Sequence, residues 1–104
     1  VTPNQSLTFN KNGKIERKDR IPYCAAMRKV AADLKKPCLN LDLVQAEALE
    51  KIGPEEGRNL YRLIPEKKME LDPAHTNLAG AELVASLIIG ELKKSSSPLK
   101  AHLK

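Results

Sequence analysis

Aromatic side chains are almost missing from this chain: two Tyr, one Phe and no Trp among 104 residues. Any core must therefore be packed from Leu, Ile, Val and Ala. The same scarcity removes the stacking pairs on which single-stranded nucleic acid is usually read. Cysteine is nearly absent too. Cys24 and Cys38 make neither a disulfide framework nor a Cys-x-x-Cys motif. Together with His75 and His102 they would complete a four-ligand set, but the spacing matches no zinc pattern, so no metal site is expected. Long apolar runs are missing as well. None approaches the roughly 18 residues of a membrane-spanning helix, so no membrane partner is expected. The opening residues, Val1-Thr2-Pro3-Asn4-Gln5-Ser6, lack the features of a signal peptide.

The charge that is present is uneven. Net charge is +5, yet residues 1–36 hold nine Lys and Arg against three acidic residues, and residues 37–104 hold nine against ten. A basic third could attract nucleic acid or an acidic polysaccharide. No arginine-rich run or zinc-finger spacing supports the nucleic-acid reading, and a solvated helix face explains the cations more simply.

Along the chain, Val1-Thr2-Pro3 reads as the end of a strand. Asn4 to Arg20 is a polar loop, with a turn at Asn12-Gly13. Residues 21–35 carry a helical stripe of Tyr23, Met27, Val30 and Leu34, and Pro37 stops that helix. Cys38-Leu39-Asn40-Leu41 reads as a short strand. Asp42 and Gln45 form a capping-box pattern for a second helix, which Gly53-Pro54 ends. Residues 54–63 are expected as a short turn or helix, with Leu60, Tyr61 and Leu63 packing. Glu66 to Leu71 is expected as a charged loop. Thr76 or Asn77 would cap a last helix with apolar positions Ala81, Val84, Ala85, Ile88 and Leu92. Residues 95–104 read as a flexible tail behind a single unit of 1–94.

This order of strands and helices is the α/β alternation found around a parallel sheet. One strand and a strand stub cannot complete such a sheet, because their edges need partners. The chain is thus expected to be one half of a fold, completed by an N-terminal half or by self-association.

The residues with chemical content are Asp72 and His75. A carboxylate three residues before an imidazole can hold the Nδ1 proton, leaving Nε2 as a base toward a nucleophile. The run Asp72-x-x-His75-Thr76-Asn77-x-x-Gly80-Ala81-x-x-x-Ala85 resembles the last block of the SGNH (GDSL-type) hydrolases. It is most similar to their rhamnogalacturonan acetylesterase-like branch of carbohydrate esterases. Val1-Thr2-Pro3, Tyr23-x-x-x-Met27, Pro37 to Asp42 and Leu49-x-x-x-Gly53 follow in the same order. The resemblance implies the C-terminal part of a three-layer α/β/α, flavodoxin-like parallel-sheet fold, incomplete in this chain. It implies His75 as general base, Asp72 as its orienting partner, and an acetylated polysaccharide or other ester as substrate. No cofactor is implied, and a secreted or periplasmic location is. The sequence contains no Gly-Asp-Ser and no Gly-x-Asn-Asp. Nucleophile and oxyanion hole are therefore expected outside these residues.

Overall fold

A core forms where the most widely spaced parts of the chain meet. In the computed structural model, which describes residues 1–103, the buried apolar side chains are Leu7, Ile15, Cys24, Leu41, Ala46, Leu49 and Tyr61. Phe9, Leu60 and Leu71 pack against the main cluster. The architecture is a small mixed α/β domain. Helix α1 spans Ile21–Asp33, α2 Leu41–Ile52, α3 Pro54–Gly57 and α4 Leu78–Lys94. Strands β1 (Tyr61–Ile64) and β2 (Glu70–Thr76) pair antiparallel as a two-stranded sheet.

Residues 4–20 are more ordered than a polar loop. Phe9 and Ile15 form an isolated antiparallel bridge around the expected Asn12-Gly13 turn. The Asn10 side chain closes that turn by accepting from the N–H groups of Asn12 and Lys14, and Gly13 takes the positive φ of +74°. The Ile15 N–H then donates to Glu50 of α2 at 3.0 Å, which seats the small hairpin on the core.

Helix α1 begins at Ile21, with Pro22 in its first turn, and ends two residues before the expected point, at Asp33. Its apolar stripe does not pack inward. Tyr23, Met27, Val30 and Leu34 are all exposed, and Cys24 is the only buried residue of the helix. Polar bonds hold α1 instead. Arg28 donates to both carboxylate oxygens of Asp42, and Arg20 donates to Ser6 Oγ and to the Asn4 carbonyl.

Two expected strands are corrected. Neither Val1-Thr2-Pro3 nor Cys38–Leu41 is a strand; the only backbone bond between them runs from Thr2 N–H to the Leu39 carbonyl at 3.0 Å. One bond fixes no ladder, and Leu41 already belongs to α2. The capping box is corrected too. Asp42 and Gln45 are buried, and their partners come from the N-terminal segment. Thr2 Oγ1 accepts from the Asp42 N–H at 2.9 Å and donates to Asp42 Oδ1 at 2.7 Å, while Gln45 Oε1 accepts from the Gln5 N–H at 2.7 Å. A residue forty positions away thus caps α2 in place of a local side chain.

The charged stretch Glu66–Leu71 is also more than a loop. It forms the tip and return strand of the β1–β2 hairpin, with Lys68 and Met69 both at positive φ where the chain reverses. Behind α4, residues 98–102 form a 3₁₀ helix capped by Ser97, which is buried.

Candidate functional site

The site is made by an irregularity in the hairpin. Leu63 pairs with Leu71 and Arg62 with Asp72, but the next residue of β1, Tyr61, pairs with Thr76. Pro73, Ala74 and His75 therefore bulge out without cross-strand partners. Pro73 has no N–H to give to a ladder, so its position in the bulge costs no strand bond. Bulges of this kind re-aim side chains. Here the bulge folds Asp72 and His75 toward each other.

Two bonds organise Asp72. Its Oδ1 accepts from the Ala74 N–H at 3.0 Å, an Asx-type turn. Its Oδ2 lies 2.7 Å from His75 Nδ1, within reach of an N–H donor. The Ala74 bond, then the His75 bond and the nearby positive charge of Arg62, hold the Asp72 carboxyl below the usual carboxylate range. No local pattern pointed to Arg62; its place opposite Asp72 follows only from the strand register. The Asp72 side chain is 15% exposed and that of His75 71% exposed. With Nδ1 bound to Asp72, Nε2 faces outward, where an incoming hydroxyl could reach it.

Neighbouring elements fix this geometry from both ends. The Leu7 N–H donates to the Pro73 carbonyl at 2.9 Å, so the bulge satisfies the N-terminal segment. On the other side Asn77 caps α4, accepting from the Gly80 N–H at 3.0 Å, as expected. Its amide nitrogen also donates to the carbonyls of Asn59 and Tyr61. Asn77 thus joins helix, strand and preceding turn, a wider role than a cap alone. Gly80 is required by contact: a Cβ there would lie 2.0 Å from the Leu60 carbonyl oxygen.

The structure brings together the two residues predicted from sequence, Asp72 and His75. Among the described residues no hydroxyl or thiol hydrogen-bonds His75 Nε2. Ser6 accepts from Arg20, Ser86 donates to the Leu83 carbonyl, and Ser95 donates to that of Leu92. Cys24 is buried beside Asp42, and burial, then the neighbouring carboxylate, push its thiol up, away from a reactive thiolate. Among the described residues no group of three or more His, Cys, Asp or Glu is placed to hold a metal ion, and no helix is long and apolar enough to cross a membrane. The site can orient one imidazole and bias its tautomer.

Comparison with protein-family models, curated proteins and solved structures gave no match to the chain.

Proposed function

We propose that this chain supplies the general-base half of an SGNH-type serine ester hydrolase acting on carbohydrate O-acetyl esters. The observation that carries this reading is the 2.7 Å Nδ1–Oδ2 contact of His75 and Asp72, with Nε2 turned outward on a bulged strand. In the completed site a serine hydroxyl attacks the acetyl carbonyl and gives its proton to His75 Nε2. The sugar hydroxyl leaves with that proton, and an acetyl-enzyme remains. Water then attacks the acetyl-enzyme, again with His75 as base, releasing acetate and restoring the serine. Asp72 orients the ring and stabilises the imidazolium formed at each step. Serine and oxyanion donors come from a separate segment carrying Gly-Asp-Ser. That segment would also supply the strands of a flavodoxin-like parallel sheet.

A second reading is a non-catalytic α/β interaction domain. It is favoured by how much apolar surface α1 leaves exposed. One experiment separates the two readings. The chain alone is expected to hydrolyse p-nitrophenyl acetate no faster than its heat-denatured control. Mixed with an N-terminal half carrying a Gly-Asp-Ser strand-turn, it is expected to gain activity that His75→Ala abolishes. A folded mixture that stays inactive, with His75→Ala indistinguishable from the parent, supports the interaction domain instead.

A further inference from the structure

The chain exposes more surface than a closed domain of its size. Its accessible area is 7305 Å², against about 5,800 Å² expected for a folded monomer of this mass. Its radius of gyration is 15.0 Å, against about 13 Å for a compact domain of this length. The excess of roughly 1,500 Å² exceeds the ~800 Å² that one partner buries in a standard interface.

About half of the exposed large apolar side chains lie on or beside α1, and the rest, Leu78 among them, are spread over the other elements. Val1, Tyr23, Met27, Val30 and Leu34 are exposed together on or beside α1. A groove of about 380 Å³ runs between the helix and the two non-helical segments beside it, lined by Val1, Ala26, Met27, Val30, Pro37 and Cys38. Backbone polar groups border the same groove. The N–H and the carbonyl of Cys38, which lines the groove, have no hydrogen-bond partner among the described residues. Lys35 and Lys36 immediately precede the groove residue Pro37, are exposed, and form no ion pair among the described residues, whereas Lys29 is already paired with Asp33.

We propose that this groove is a docking site for an extended polypeptide strand from a partner, with aliphatic side chains on one face and carboxylates at its ends. The apolar floor takes the aliphatic face. The free N–H and C=O of Cys38 pair with the strand's own backbone, as in strand addition to an open edge. Lys35 and Lys36 take the carboxylates. An apolar helix would fill the floor but leave those backbone groups unpaired. A second copy of this chain docking by the same face would bring four unpaired lysines, Lys35 and Lys36 of each copy, into one interface, while the one acid of α1, Asp33, is already paired with Lys29. The inference rests on the reading that the chain works with a second polypeptide segment, and is independent of any ester chemistry.

The test uses the chain and a capped hexapeptide of alternating valine and threonine flanked by aspartates. Amide chemical shifts and hydrogen exchange are read by NMR. Saturable shifts are expected at Met27, Val30 and Cys38, with exchange of the Cys38 amide slowed at least tenfold. Val30→Asp, at an exposed position, is expected to abolish binding while leaving circular dichroism unchanged. The double variant Lys35→Glu, Lys36→Glu is expected to bind a lysine-flanked version of the peptide instead. A peptide N-methylated along its pairing edge is expected to lose binding. His75→Ala is expected to bind like the parent, so a failed hydrolase reading leaves this result standing. The proposal is overturned by an absence of saturable shifts up to millimolar peptide, by equal binding of the N-methylated peptide, or by a concentration-dependent dimer of the chain alone that Val30→Asp dissolves.

Discussion

The Tyr61 hydroxyl donates a 2.7 Å hydrogen bond to the Gln5 carbonyl, across 56 positions of sequence. Tyr61 sits at the strand position that flanks the bulge, and it is one of the most completely buried side chains of the chain. This bond therefore couples the hairpin bearing Asp72 and His75 to the N-terminal segment that caps α2.

Tyr61→Phe would keep the ring and leave the buried Gln5 carbonyl without its donor. The expected cost is about 1–3 kcal/mol, read from urea unfolding. A pH signature accompanies it. Burial pushes the Tyr61 phenol up to about 12 from its ordinary 10. A raised folded value means that the parent keeps this stabilisation below pH 10 and loses it as pH rises through about 12. The Phe variant should lack that alkaline loss. Parallel alkaline slopes for the two proteins would contradict the assignment.

Asp42 responds at the opposite end of the scale. Burial alone would push its carboxyl up, but hydrogen bonds from Arg28, Thr2 and Cys24 together outweigh burial and hold it below the usual range. A depressed folded value contributes stability above the ordinary carboxylate pKa of about 3.9, and that stability is lost as pH falls below it. Stability should thus be flat near neutrality and fall steeply below about pH 4. Arg28→Ala should cost about 3 kcal/mol at neutral pH, since it strands a buried carboxylate. It should also flatten the acid slope, which denaturant titrations at pH 3 and pH 7 would measure.

Gly80→Ala places a methyl 2.0 Å from the Leu60 carbonyl oxygen and 2.8 Å from Thr76 Cβ. Helix propensity favours alanine by about 1 kcal/mol. The clash is with rigid backbone, so α4 must move away, at an expected net cost of about 1–3 kcal/mol. Because the start of α4 anchors the end of β2, the His75 resonances should shift as well. A stabilised Gly80→Ala variant would show that the helix sits farther from Leu60 than described.

At the site, neutral His75 should carry its proton on Nδ1, where Asp72 accepts it. Nitrogen-15 NMR of the imidazole reads this directly, and Asp72→Ala should shift the population toward the Nε2–H tautomer. His75→Ala should change stability by no more than about 0.5 kcal/mol, since the side chain is exposed. In a completed enzyme it should lose nearly all turnover, on the order of 10⁴-fold or more, and Asp72→Ala should lose less. A well-folded His75→Ala with parental kcat would remove His75 from the mechanism.

What the sequence by itself determined was local. Asn77 caps α4 because its side chain reaches an N–H three residues on. Asn12-Gly13 turns because glycine tolerates positive φ, and Pro37 follows the end of α1 because its ring cannot continue a helix. The pairing of Asp72 with His75 was legible for the same reason, since they lie only three positions apart. The tertiary structure decided whatever depended on a distant partner. Helical periodicity showed that α1 has an apolar stripe, but not that it faces outward. The Asp42–Gln45 capping pattern lost to Thr2 and Gln5, because buried polar groups take the best donor in space, however far along the chain it lies. Glu66–Leu71 read as a loop because a solvent-facing hairpin can be charged; only pairing with Tyr61–Ile64 made it the tip and the first strand residues, Glu70 and Leu71, of a hairpin. The bulge that turns the Asp72–His75 pair outward exists only because Tyr61 pairs with Thr76 rather than with Pro73, and strand register is a long-range property that no local pattern in this chain encodes.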